Sequence, residues 1–228
     1  MTTFTFRPLA IGALALLLSS GHAFAQTASP VLSTLEVQKL VASGEPADNA
    51  KLSAHFAALG DRYAAEAKRH EVMAKSFVGN PNRNTGAGMS VHCRKLADLN
   101  NQSAATLREL ATHHQKLAGG TPSTLPRDGA RFQGGAGASQ PTDQELNAWA
   151  AKANTPADHR ALAEYFQTLA KRYTADATAH VAIAQSYRGT RIAQAADHCD
   201  RIVTNARESA KEATAAAEMH LQFANIAR

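Results

Sequence analysis

From Leu52 to Phe77 the chain places Leu52, Phe56, Leu59, Tyr63, Met73 and Phe77 at alternating spacings of three and four, with Glu66 and His70 in the same register. Cys93, Leu96, Asn100, Ser103, Leu107, Leu110, His114 and Leu117 keep the same rhythm. That spacing is the a/d seam of amphipathic helices packed nearly antiparallel. It predicts two long helices folded back on each other, with a few polar residues on an otherwise apolar face.

The pattern then recurs. At an offset of 110, Pro46, Ala47, Asp48, Leu52, Phe56, Leu59, Arg62, Tyr63, His70 and Ser76 match Pro156, Ala157, Asp158, Leu162, Phe166, Leu169, Arg172, Tyr173, His180 and Ser186. Between 47 and 76, 12 of 30 positions are identical, and alanine richness alone would not match Phe, Tyr and His together. At an offset of 106, His92-Cys93 matches His198-Cys199, Ser103-Ala104 matches Ser209-Ala210, and His114 matches His220. The four-residue change in offset falls between Gly79 and Gly88, a segment expected to be a loop, because loops absorb length differences. Its counterpart is a short break near Gly189.

These observations predict an all-α protein of two tandem antiparallel hairpins, 26–118 and 142–228, packed as a pseudo-twofold four-helix bundle. Two hairpins acting separately is the alternative. A shorter helix is expected before each hairpin, near 34–42 and 143–153. Asp48 and Asp158 follow a proline, as suits a helix N-terminus. The stretch 119–141 is rich in Gly, Pro, Ser and Thr and reads as a flexible linker.

The first 25 residues read as a secretory signal. Arg7 precedes an apolar run, Leu9–Leu18, and the segment closes on Ala23-Phe24-Ala25, with cleavage expected after Ala25. The run is too short for a membrane anchor. Export to a periplasm, or beyond the cell, follows. The chain has 24 Lys and Arg against 19 Asp and Glu. The bases are scattered among the acids rather than clustered, so nucleic acid is not an expected partner. A protein partner is open, as are monomer and homodimer.

Beyond the periodicity, Thr155-Pro156-Ala157-Asp158-His159 followed by His180, His198-Cys199 and His220 resembles the repeat of a group of secreted bacterial helical proteins. The first copy departs from it, with Glu45-Pro46-Ala47-Asp48-Asn49. The resemblance covers both hairpins and implies no activity or cofactor.

Polar residues on the apolar seam are the candidates for chemistry. Glu66 and His70, and again Asp176 and His180, are four apart and share a helix face. Reflection about the hairpin turns brings His92 and Cys93 level with His70, and His198 and Cys199 level with His180. One cross-section is therefore expected to gather two carboxylates, four histidines and two cysteines. Such a set could bind copper, zinc or iron, or a non-covalent haem. The plain alternative is buried, hydrogen-bonded pairs that order the seam. A second layer is expected from the same reflection, His114 near Asp48 and His220 near Asp158.

In an exported protein, Cys93 and Cys199 at equivalent positions are expected to pair across the axis. Free thiols and metal ligation are the alternatives. A bond closing that 106-residue loop would contribute about 4–5 kcal/mol in the chain-entropy account. No G-x-S-x-G or H-E-x-x-H occurs, and Gly134-Gly135-Ala136-Gly137 follows no strand, so an enzyme is not expected. The leading functional expectation is a disulfide-stapled structural or interaction module. A metal- or haem-binding bundle and an extracytoplasmic chaperone or stress protein are the others.

Overall fold

The computed structural model describes residues 31–81, 83–119 and 141–226, with the side chains of 83–86 left aside. The expected signal peptide and residues 120–140 of the expected linker lie outside the described residues.

Six helices and no strand occur among the described residues: α1 Thr34–Ser43, α2 Pro46–Val78, α3 Arg83–Leu117, α4 Asp143–Lys152, α5 Pro156–Arg188 and α6 Ala195–Ile226. Their starts are written locally. Ser33 with Glu36, Thr142 with Glu145, and Thr155 with Asp158 each form a capping box, which satisfies amide donors that a helix leaves free. Gly44 closes α1 in a left-handed conformation, φ 66°, where a side chain would be strained. Pro46 and Pro156 sit in the first turns of α2 and α5.

Both long hairpins form, α2 on α3 and α5 on α6. The turn of the first differs from expectation. Helix α3 begins at Arg83, so the glycine-bearing stretch 83–88 is helical. Six residues separate α5 from α6 against four between α2 and α3. The extra length of the first copy therefore lies in a longer helix, not a longer loop. A helix end can extend by a turn where it projects past its partner.

The hairpins join as one bundle. Helix α3 packs on α6, and they run antiparallel: His92 meets Glu212, while Glu109 meets His198 and Arg201. Across the other side, α2 and α5 are held further apart and long side chains span the gap. The short helices cross over. Helix α1 packs on α5 as well as on its own α2, and α4 packs mainly on α2. Gln38 donates to the Ala182 carbonyl, and Asn80 donates to the Ala150 carbonyl. Val37 and Leu146 anchor these helices at 0 % exposure, each worth about 1.5–3 kcal/mol of burial. Reciprocal exchange of the short helices is what a fused twofold dimer would show. Phe56, Phe77, Phe166, Tyr173 and Tyr187 are among the largest fully buried side chains. No helix among the described residues is long and apolar enough to cross a membrane.

Candidate functional site

The pseudo-twofold axis runs between α2 and α5 where an arginine of each copy meets an acid of the other. Arg62 lies 2.5 Å from Asp176, and Arg172 lies 2.8 Å from Glu66. Positions 62 and 172 are equivalent, as are 66 and 176, so one contact is made twice. The two sites have since diverged. Glu66 is 5 % exposed, also receives Arg69 at 3.0 Å, and has the Tyr165 hydroxyl at 3.4 Å. Asp176 instead receives the Tyr63 hydroxyl at 2.9 Å. Burial works against a charge on Glu66, but Arg172, His70 and Arg69 hold its carboxyl well below the usual range. The sequence marked both acids and matched both arginines, yet it assigned the arginines no role.

The expected eight-residue layer is not assembled. His92 and Cys93 lie near Glu212 of α6, while Cys199 is thirteen residues earlier on that helix. That is about 20 Å of helix. Cys93 and Cys199 are accordingly buried free thiols, whereas a disulfide needs Cα atoms about 4–7 Å apart. The expected staple is corrected: equivalent residues meet only near the axis, and the cysteines sit far from it. His92 pairs with Glu212 at 2.6 Å, and His198 lies 3.4 Å from Glu109 beside Arg201, near opposite ends of α3. His70 and His180 are buried elsewhere. His70 Nε2 is 3.4 Å from Glu66, too far for a strong hydrogen bond, and neither ring nitrogen makes one. Among the described residues, no three or more of His, Cys, Asp and Glu are placed to hold a metal ion.

Burial raises both thiols, Cys199 to about 12. The folded protein is therefore expected to resist Ellman's reagent at pH 8, and unfolding in guanidinium to release two reactive thiols per chain. A count of zero after unfolding would restore the disulfide.

The second layer forms with different partners. Asp158 is used in the Thr155 capping box, and Asp48 bonds Lys51 and Ser43. The histidines turn to the next residue along. His114 Nδ1 lies 2.8 Å from Asn49 Oδ1, and His220 Nδ1 lies 3.2 Å from His159 Nδ1. Positions 49 and 159 are equivalent. Phe56 stacks on His114 at 5.6 Å and Phe166 on His220 at 5.8 Å, both at 19°, so the two ends share one architecture.

Their chemistry differs. Both amide hydrogens of Asn49 go to the carbonyls of Gly44 and Glu45. Its oxygen must therefore accept from His114, which fixes the proton on Nδ1 and leaves Nε2 bare. The Tyr187 hydroxyl, 2.7 Å away, donates to that nitrogen. At the second end the place of Tyr187 is taken by its equivalent in the first copy, Phe77, which packs on His220 at 5.7 Å. His220 Nε2 is buried without a partner. Tyr187→Phe is expected to cost about 1–3 kcal/mol by orphaning His114, and Phe77→Tyr to gain about 1 kcal/mol by supplying the missing hydroxyl. Urea unfolding of both variants checks this. Equal effects would mean that the ring nitrogens do not govern either position.

No role was assigned from the sequence to Asn49, Tyr187 or the arginines, and His159 entered only as the last residue of the Thr155–His159 motif. The one available signal was that Arg62 and Arg172 recur beside the marked acids. Comparison with known protein families, with curated proteins and with solved structures finds no match to the chain.

Proposed function

We propose that this chain is an exported, non-catalytic helical module that acts through its outer surface on a protein partner. The observation that carries the reading is the use made of the reactive-looking interior. Glu66, Asp176, Arg62 and Arg172 are spent on joining the two copies, and His114 is enclosed by Asn49 and Tyr187. Reciprocal ion pairs and crossed short helices take over the holding role first assigned to a disulfide.

The outer helix faces carry single exposed apolar side chains, Val91 on α3 at 59 % and Val78 at the end of α2 at 60 %. Single exposed apolar residues are ordinary on a protein surface, and these two serve as positions from which contact with a partner can be read. A photo-crosslinking residue at position 91, in the native host, is expected to give one reproducible adduct. Val78→Asp in the same chain should abolish it. Metal analysis and an absorption spectrum of the native protein complete the test. Stoichiometric copper, zinc or iron, or a haem band, would replace this reading with the ligand-binding one. Failure to form any adduct would count against a partner.

A further inference from the structure

The two ends that carry a buried histidine differ in how they can take up a proton. At the first, an added proton on His114 Nε2 meets a hydroxyl that can reverse and accept it, because Tyr187 both donates and accepts. At the second, the Nδ1 atoms of His220 and His159 share one hydrogen between them, and His220 Nε2 is buried without a partner beside the Phe77 ring. One extra proton there puts an N–H on His220 Nε2, buried and without an acceptor. A second puts two N–H groups against each other across 3.2 Å. Phe166 and Phe223 enclose the pair, and His159 and His220 are 1 % and 0 % exposed.

The titratable groups acting on the pair come from two helices. On α5 it is Asp158, whose carboxylate favours charge on His159 but is committed to its capping box. On α3 it is His92, which opposes charge on His220 and is itself engaged with Glu212. Helix α2 contributes the uncharged Phe77. On α6 the neighbouring ring is Phe223. The location matters too. His159 lies in the first turn of α5 and His220 near the end of α6, at the end of the hairpin away from its turn. Helix ends held together by packing alone are where local opening begins.

We propose that the His159–His220 pair is a proton-operated latch, which holds the open end of the second hairpin shut when uncharged and releases it on acidification. Opening exposes Phe77, Phe166 and Phe223 while Tyr187 and Asn49 keep the equivalent end of the first hairpin closed. Burial depresses both histidines, in keeping with a group that resists charge until the site opens.

Native-state hydrogen exchange on the full chain tests this, with circular dichroism showing the helices intact. Between pH 7 and about pH 5.5, amides in 156–163 and 217–224 are expected to lose about tenfold in protection, corrected for intrinsic rates. Amides in 46–53 and 111–117 should change less than about threefold, since a hydroxyl can share that proton. Phe77→Tyr supplies at the second end the hydroxyl that Tyr187 gives His114, and should remove most of the pH dependence there. Equal loss at both ends of the wild type, or an unchanged pH dependence in Phe77→Tyr, overturns the latch. If Phe77→Tyr does not fold, the wild-type comparison of the two ends decides alone.

Discussion

Arg172→Ala is expected to lower the stability of the bundle by about 3–5 kcal/mol, the cost of leaving a buried charge without its partner. Glu66 is 5 % exposed, and Arg172 is its contact across the axis at 2.8 Å. Arg69 remains at 3.0 Å but approaches from the same helix, so it can steady the charge without joining the hairpins. Adding Glu66→Gln to Arg172→Ala should recover much of the loss, because the unpaired charge is then gone. Arg62→Ala should cost less, since Asp176 is about one-fifth exposed and keeps the Tyr63 hydroxyl. Arg160, on the surface of α5, provides the control, and its alanine variant should change stability by less than about 0.5 kcal/mol. Chemical denaturation followed by circular dichroism gives all four values. A loss below about 1 kcal/mol for Arg172→Ala would remove the ion pair from the account of how the copies join.

Acid is expected to unfold the protein in a transition centred near pH 5. Burial lowers His55 and His180 to about 4, and His114 and His220 to about 3. The sign follows from these directions. A histidine depressed in the folded state favours folding fully above its unfolded value, about 6.5, and loses that contribution as pH falls toward the folded value. At pH 5 His55, His180 and His220 have each lost about 2 kcal/mol, so together they remove on the order of 6 kcal/mol; His114, whose added proton the Tyr187 hydroxyl can accept, loses less. That is comparable to the whole stability of an ordinary domain. Protonation of Glu66 adds to the loss at still lower pH, because its folded value is also depressed. Helical circular dichroism and the fluorescence of Trp149 on α4, titrated at constant ionic strength, should fall together. A chain still folded at pH 4 would show that these rings reach solvent or a carboxylate more easily than their burial indicates.

How much of this was legible can be traced residue by residue. The seam positions Leu52, Phe56, Leu59, Tyr63, Met73 and Phe77 are all buried, because a period of three and four alone decides which face of a helix is apolar. Polar residues in that register, Glu66, His70, His114, His180 and His220, are buried as singled out, while Asp176 is partly exposed. Their partners were not legible. His114 was paired with Asp48 and finds Asn49. A one-residue error turns a side chain by about 100° around the helix, and reflection about a turn does not resolve one residue. Arg62 reaches Asp176 across 114 positions of chain, a separation over which no local pattern speaks. The loop expected at 79–88 failed for a related reason. Glycines there suggested a break, but helix α3 continues through them to Arg83.

By itself, then, the amino-acid order determined the helices, the turns to within a few residues, the duplication and some of the buried polar positions, Glu66, His70, His114, His180 and His220. Each of these depends on local periodicity, on capping chemistry or on comparison of the chain with itself. Only the tertiary structure decided where the twofold axis falls, and with it which equivalent residues meet. In an antiparallel twofold pair, equivalent positions separate by two residues' rise for every residue moved from the axis. Near the axis, Arg62 and Glu66 meet the acid and arginine of the other copy. Cys93 and Cys199, several turns away, do not meet at all. Sequence equivalence is blind to that distance, and so the polar residues near the axis join the hairpins by ion pairs while the two thiols stay apart.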